Sequence, residues 1–192
     1  MYKGFDLSDK VAALTGSTTG MGFAIARGLA QCGAKIVVSS NTQEDTDRAA
    51  RELSEEGFDV EGVRCDVTDR RDIEHFGGKA QQAFGKVDIL FCVAVRPVPV
   101  GPIQEIDLDA LDSLLTSSVS NNLALARQFL PEMADRRYGS IVMVSSIASQ
   151  HPSKILGGYG AAKAAPQWHC SQYRNRVGQL KRESQRDRAI LR

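Results

Sequence analysis

No apolar run in this chain approaches the roughly 18 residues that a membrane-spanning helix requires, and the opening Met1-Tyr2-Lys3-Gly4 lacks the apolar segment of a signal peptide. A soluble, cytoplasmic protein with no membrane partner is the expectation. The four cysteines, Cys32, Cys65, Cys92 and Cys170, show no CxxC spacing and no nearby histidine pairs, so free thiols are expected rather than a zinc site or a disulfide framework. His75, His151 and His169 are scattered without ligand spacing and read as surface histidines, with no metal implied. Internal repeats and low-complexity stretches are lacking too. What is present, 42% hydrophobic and 24% charged residues over 192 positions, excludes a wholly disordered chain and suits one domain better than two.

The formal net charge of +1 conceals a division. Residues 1–166 hold 17 Lys+Arg against 21 Asp+Glu, whereas residues 167–192 hold seven basic and two acidic residues. A charge block of this kind marks a segment with its own origin or role.

From residue 11 to 166, short β-branched runs alternate with longer amphipathic stretches. The runs Val11–Thr15, Lys35–Ser39, Val60–Arg64, Ile89–Val93 and Ser140–Val144 read as strands bounded by Gly, Asp or Lys. Helices are expected over about 21–31, 44–57, 69–84 and 109–136, with another beginning near 160. Asp69 and Asp72 fall in the first turn of the third, where carboxylates suit the positive helix end. Such alternation predicts an α/β fold: a doubly wound parallel sheet with helices on both faces. Ser140–Val144 has the composition of a central, buried strand.

The first strand runs into Thr15-Gly16-Ser17-Thr18-Thr19-Gly20-Met21-Gly22 and then a helix. Strand, three glycines, helix is the arrangement that offers backbone N–H groups and a helix N-terminus to a pyrophosphate. The spacing is Gly-x3-Gly-x-Gly rather than Gly-x-Gly-x2-Gly, so a purely structural turn is the alternative. Asp66, at the end of the third strand, could accept from an adenine amino group or cap the following helix.

Tyr159 and Lys163 stand four residues apart, which puts a phenol and an ammonium on one helix face. A phenol is a poor acid or base at neutral pH, and a neighbouring cation favours its ionised form. Ser145 and Ser146 end the fifth strand, at the sheet edge where open α/β folds bind ligands, and a serine there can hydrogen-bond a reacting oxygen. The alternative for the pair alone is a surface Tyr and Lys.

Together, Thr15-Gly16-x3-Gly20-x-Gly22, Cys65-Asp66-Val67, Ser146 thirteen residues before Tyr159, and Lys163 four after it resemble the short-chain dehydrogenase/reductase family over residues 7–165. The resemblance implies a Rossmann-type fold and hydride transfer between NAD(P) and an alcohol or carbonyl carbon of a small-molecule substrate. It assigns catalysis to Tyr159 as acid/base, Ser146 as substrate-orienting donor and Lys163 as the residue that tunes Tyr159 and binds the nicotinamide ribose. For the cofactor it implies Gly16, Ser17, Thr18, Thr19, Gly20, Met21 and Gly22 at the diphosphate, with Ser40, Asn41, Asp66, Val67 and Ala94 along the adenosine half. Family members often pair through the long helix and the sixth one, so a homo-oligomer is what the resemblance implies.

The chain departs from the family in three places. Where the family reads Asn-Asn-Ala-Gly, this chain has Cys92-Val93-Ala94-Val95, and Val95 thickens the wall beside the cofactor. The family's helix asparagine, thirteen residues before Pro131, aligns with Ser118; Asn121 and Asn122 follow within about a turn and could supply the amide. At the end of the second strand Ser39, Ser40 and Asn41 carry no carboxylate to hold a ribose 2′-hydroxyl or repel a phosphate, which permits and slightly favours NADP, although no arginine stands in that run. Pro97, Pro99 and Pro102 suggest a stiff loop beside the site.

Beyond Ala165 the family pattern stops, and Pro166 is expected to break the sixth helix. Permitted codons for Pro166–Arg192, read one nucleotide later, can encode a helical stripe followed by a strand, so 166–192 reads as the product of a frameshift, an atypical basic tail outside the core. On that reading the sheet is incomplete at its C-terminal side, and the face of the fifth strand is partly uncovered. The alternative for the tail, a nucleic-acid or membrane arm, is disfavoured by its few aromatics and lack of an amphipathic face, so no nucleic-acid partner is expected. Two functions follow: a dehydrogenase/reductase, or a non-catalytic truncated fragment that retains at most cofactor binding.

Overall fold

The computed structural model describes residues 5–151 and 153–169. Five parallel strands, β1 (Val11–Thr15), β2 (Lys35–Val38), β3 (Val60–Gly62), β4 (Ile89–Cys92) and β5 (Ser140–Met143), form one sheet in the order β3-β2-β1-β4-β5. Each strand falls on one of the β-branched runs of the sequence. Parallel neighbours need a crossover, and helices supply it: α1 (Gly20–Gln31), α2 (Gln43–Glu55), α3 (Arg70–Phe84), α4 (Leu108–Leu115) and α5 (Asn121–Asp135), then α6 over 157–169. Chain order reverses between β1 and β4, and the crevice beyond the carboxyl ends of those two strands is where doubly wound sheets bind dinucleotides.

Alternation along the strands divides the core into two layers. Val11, Ala13, Val37 and Leu90 point to one face and pack with Ile73 and Phe76 of α3 and Leu125 and Phe129 of α5. Ala12, Leu14, Ile36 and Val38 point to the other and meet Ala26 and Ala30 of α1 and Ala49 and Leu53 of α2. Burial on both sides is why β1 is apolar at almost every position. At the foot of the sheet the buried Asp88 accepts from the Val11 amide at 3.1 Å and pairs with Lys86 and Arg136 at 3.1 and 3.5 Å.

Four expectations change. β5 is the edge strand among the described residues and its Ile141, Val142 and Met143 are half-buried, so it is not a central strand; only β4 flanks it there. The predicted single helix over 109–136 is α4 and α5 joined by a π-helical turn, Thr116–Ser120. Asp69 is the N-cap of α3 rather than a first-turn residue, accepting from the Arg71 amide at 2.8 Å. Pro166 does not end α6, which begins at 157 and continues to 169: proline removes one amide donor, and the turns on either side still close. The remainder of the proposed frame-shifted stretch, 170–192, lies outside the described residues. No helix among the described residues is long and apolar enough to cross a membrane.

Candidate active site

The turn from β1 into α1 is built by close approach. A Cβ on Gly22 would lie 2.0 Å from the Gly16 carbonyl oxygen, and one on Gly16 would lie 2.6 Å from the Ala94 Cα, so both positions exclude a side chain. Gly20 differs: its φ is +53°, and nothing stands within 4 Å of where its Cβ would be. That open space lies beside the N-terminus of α1. Thr42, Asp69 and Asp107 cap α2, α3 and α4 with their side chains, whereas Thr19 makes no side-chain cap at α1. Amides with no side-chain cap and the open space at Gly20 fit the diphosphate of a dinucleotide.

The Ser17 side chain is engaged within the protein. It is fully buried; its hydroxyl donates to the Leu14 carbonyl at 2.9 Å and accepts from the Ser39 amide at 2.9 Å, while its own amide donates to the Ser39 carbonyl. The side chain thus joins the ends of β1 and β2. Thr18 is buried, and Thr19 and Met21 are exposed at the turn.

Along the adenosine half, the N-cap of α3 is Asp69, so Asp66 does not cap that helix. One carboxylate oxygen accepts from the Thr68 amide and hydroxyl at 2.9 and 2.7 Å, and the Asp66 amide donates to Asp72. Burial pushes the Asp66 carboxyl up, but the Thr68 bonds with Arg96 and Arg64 nearby outweigh it and hold the group below the usual aspartate range. The adjacent Cys65 thiol is pushed up to about 12, first by burial and then by Asp72 and Asp66, so it stays protonated. Val67 is buried, and its carbonyl accepts from the Asn121 amide at 2.7 Å. Ala94 lies against Gly16, with Val95 half-exposed beyond it. Ser40 and Asn41 stand at the end of β2, and an arginine does reach this place: Arg64, from the end of β3, donates to the Asn41 carbonyl at 3.3 Å. The run Ser39-Ser40-Asn41 gives no hint of it, because the contact crosses between strands.

At the other side of the crevice, Ser145 and Ser146 follow β5. The Ser145 hydroxyl donates to the Lys163 carbonyl at 2.7 Å and so ties the strand end to α6. Ser146 caps the short 3-10 turn Ile147–Ser149, accepting from the Ala148 amide at 3.2 Å. A Cβ on Gly160 would lie 2.5 Å from the Ala148 carbonyl oxygen, so this glycine lets the start of α6, with Tyr159, settle onto the turn that carries Ser146. Sequence reasoning passed over Gly160, although its place between Tyr159 and Lys163 was visible. Lys163 is buried; its Nζ donates to the Val144 carbonyl at 2.9 Å and lies 5.9 Å from the centroid of the Tyr159 ring. Burial pulls its pKa down, and the nearby Cys92 at the end of β4 works against that. One helix therefore carries the phenol and the ammonium to the carboxyl edge of the sheet.

The position aligned with the family's asparagine, Ser118, sits inside the π-helical turn, 1% exposed, and its hydroxyl has no hydrogen-bond partner. Asn121 and Asn122 are buried rather than exposed. The Asn122 amide donates to the Ser118 carbonyl of the turn at 2.9 Å, whereas the Asn121 amide ties the start of α5 to Val67, beyond β3. Among the described residues no cluster of His, Cys, Asp or Glu could hold a metal ion.

This geometry defines a class, a doubly wound dinucleotide-binding domain with a Ser-Tyr-Lys constellation at the switch point. The chain belongs to the short-chain dehydrogenase family: that family's model matches residues 10–180, a span that continues past residue 165. It is 43% identical over 159 residues to a bovine (Bos taurus) protein named dehydrogenase/reductase SDR family member 4, and 42% identical over 160 to human dehydrogenase/reductase SDR family member 2, mitochondrial. Each match covers 83% of this chain but 57% and 56% of the relative, so the chain spans little more than half the length of these proteins. Among solved structures, a metagenomic short-chain oxidoreductase in complex with NADP superposes with a TM-score of 0.84 at 28% identity, covering 91% of this chain and 79% of that one. A putative gluconate dehydrogenase from Agrobacterium tumefaciens gives 0.85 at 26%, covering 92% and 69%.

Proposed function

We propose that this chain catalyses hydride transfer between a nicotinamide dinucleotide, NADP in preference to NAD, and the alcohol or carbonyl carbon of a small-molecule substrate. The observation that carries the reading is the docking of α6: Ser145 on the Lys163 carbonyl and Gly160 on Ala148 hold Tyr159 and Lys163 against the segment of Ser146. In the reducing direction Ser146 hydrogen-bonds the substrate oxygen, and Tyr159 gives that oxygen its proton as the carbonyl carbon gains hydride. A bound reduced nicotinamide supplies the hydride. Lys163 has three donors, one of them on the Val144 carbonyl, and the others suit ribose hydroxyls beside Tyr159. Gly20 and the uncapped start of α1 hold the diphosphate, and the absence of a carboxylate from Ser39, Ser40 and Asn41 supports the 2′-phosphorylated cofactor. The neighbour solved with NADP is consistent with that preference.

A second reading, a chain that binds the dinucleotide without turnover, draws on Ser118 and Val95 at the family's asparagine and glycine positions and on the fraction of each relative that is spanned. Titrating NADPH and NADH fluorescence with purified protein, followed by a carbonyl-substrate screen, separates the two. Turnover that falls about 10²- to 10⁴-fold in Tyr159→Phe with dinucleotide binding retained is the expected result. Binding with no Tyr159-dependent turnover selects the second reading, and no binding at all removes both.

A further inference from the structure

We propose that Arg64, reaching across from the end of β3, is the residue that selects the 2′-phosphorylated cofactor. The inference deepens the nicotinamide reading and rests on it. In doubly wound folds the end of the second strand is where the adenosine ribose is read, by a carboxylate for a free 2′-hydroxyl or an arginine for a 2′-phosphate. Here that strand end contributes neither, since Ser39, Ser40 and Asn41 are neutral. The guanidinium arrives from 23 residues away, with Nη1 donating to the Asn41 carbonyl at 3.3 Å.

The two ends of the guanidinium are held differently. Nη2 is clamped by Asp72, at 2.8 Å from one carboxylate oxygen and 2.7 Å from the other. Asp72 is itself fixed by accepting from the Asp66 amide at 2.9 Å, so the fork has a set orientation. The Nη1 contact is long for a hydrogen bond and goes to a neutral carbonyl, so exchanging it for a phosphate oxygen replaces a weak bond by a charge-assisted one. The Arg64 side chain is 43% exposed. A groove of about 560 Å³, lined by Gln43 at the start of α2 and by Arg71 and His75 of α3, opens beside it and leaves room for the phosphate. Two of the carboxylates near this strand end are occupied. Asp45 is bound by Arg48 and Thr42, and Asp72 by Arg64 itself; Glu61 also lines the groove, where Arg71 and Lys79 add two further cations to offset its charge.

The test uses nucleotides without the nicotinamide, so that it reads binding alone. Isothermal titration of the whole chain with adenosine 2′,5′-bisphosphate and with AMP measures what the 2′-phosphate adds. Wild type is expected to prefer the bisphosphate by about 10- to 100-fold, the worth of one charge-assisted hydrogen bond. Arg64→Gln removes that preference and leaves AMP affinity in place. Asn41→Asp, which keeps Arg64 but puts a carboxylate beside it, also abolishes the preference and guards against a folding defect in the first variant. A preference that survives Arg64→Gln, or wild type that binds the two ligands equally, overturns the role of Arg64 and leaves the dinucleotide reading standing. Failure of wild type to bind either nucleotide overturns both.

Discussion

The Ser145 hydroxyl donates to the Lys163 carbonyl at 2.7 Å, which pins the end of β5 to the helix that carries Tyr159 and Lys163. Lys163 in turn donates from Nζ to the Val144 carbonyl at 2.9 Å, so strand and helix are laced in both directions within two residues of Ser146. On each side a side chain donates to a backbone carbonyl, and the two bonds together fix where Tyr159 stands.

Removing that tie gives a first prediction. Ser145→Ala leaves a carbonyl of α6 short of a partner and is expected to cost about 1 kcal/mol of stability. It is also expected to lower kcat through misplacement of Tyr159, by less than Ser146→Ala does. Ser146→Ala loses the hydroxyl that we propose bonds the substrate oxygen and, within the protein, only a turn cap, so its effect is expected mainly on turnover. Thermal denaturation and steady-state kinetics of both variants check the contrast. Equal damage to stability and equal damage to rate in the two proteins would show that the serines have the same role.

Two buried serines of opposite standing give a second prediction. Ser17 and Ser118 are 0% and 1% exposed, yet Ser17 both donates to Leu14 and accepts from the Ser39 amide, whereas the Ser118 hydroxyl has no partner. Ser17→Ala strands the buried Ser39 amide, while the Leu14 carbonyl keeps the Ser39 hydroxyl at 3.1 Å, and is expected to destabilise by about 1–3 kcal/mol. Ser118→Ala removes an unsatisfied group and is expected to lie within about 0.5 kcal/mol of wild type or above it. Urea unfolding of the two variants measures the difference. A Ser118→Ala cost as large as that of Ser17→Ala would show that the hydroxyl holds a partner in solution.

What could be read in the sequence and what could not divide along the distance between interacting residues. Strand and helix positions follow from local apolar periodicity, and the glycine turn and the Tyr159–Lys163 spacing are local as well, so the fold and the outline of the site were legible. That the Ser17 side chain joins β1 to β2 was not legible, because its bond to Ser39 spans 22 residues, which no pattern within the turn reveals. Arg64 escaped notice at the end of β2 for the same reason. The π-helical turn was hidden because an extra residue in one turn leaves an amphipathic stripe nearly intact, and with it went the burial of Asn121 and Asn122. β5 looked central on composition, since apolar residues suit a covered strand, and composition does not say which neighbour covers it.

Asp66 carries the third prediction, through pH. Its folded-state pKa lies below the ordinary value of 3.8: burial opposes ionisation, and the Thr68 bonds with Arg96 and Arg64 overcome it. A carboxyl whose folded pKa is depressed binds fewer protons in the native state than in the unfolded chain between those two values. Stability therefore rises with pH through that window. The contribution of Asp66 is complete above about pH 4 and is lost as pH falls through the folded value. Asp66→Asn removes the titration while keeping an acceptor for Thr68. The stability gap between wild type and Asp66→Asn, measured by urea unfolding from pH 7 downward, is expected to hold steady to about pH 4 and then narrow. A gap that stayed constant down to pH 2, or widened on acidification, would mean that the Thr68 bonds and the two arginines do not favour the ionised carboxylate in the folded protein.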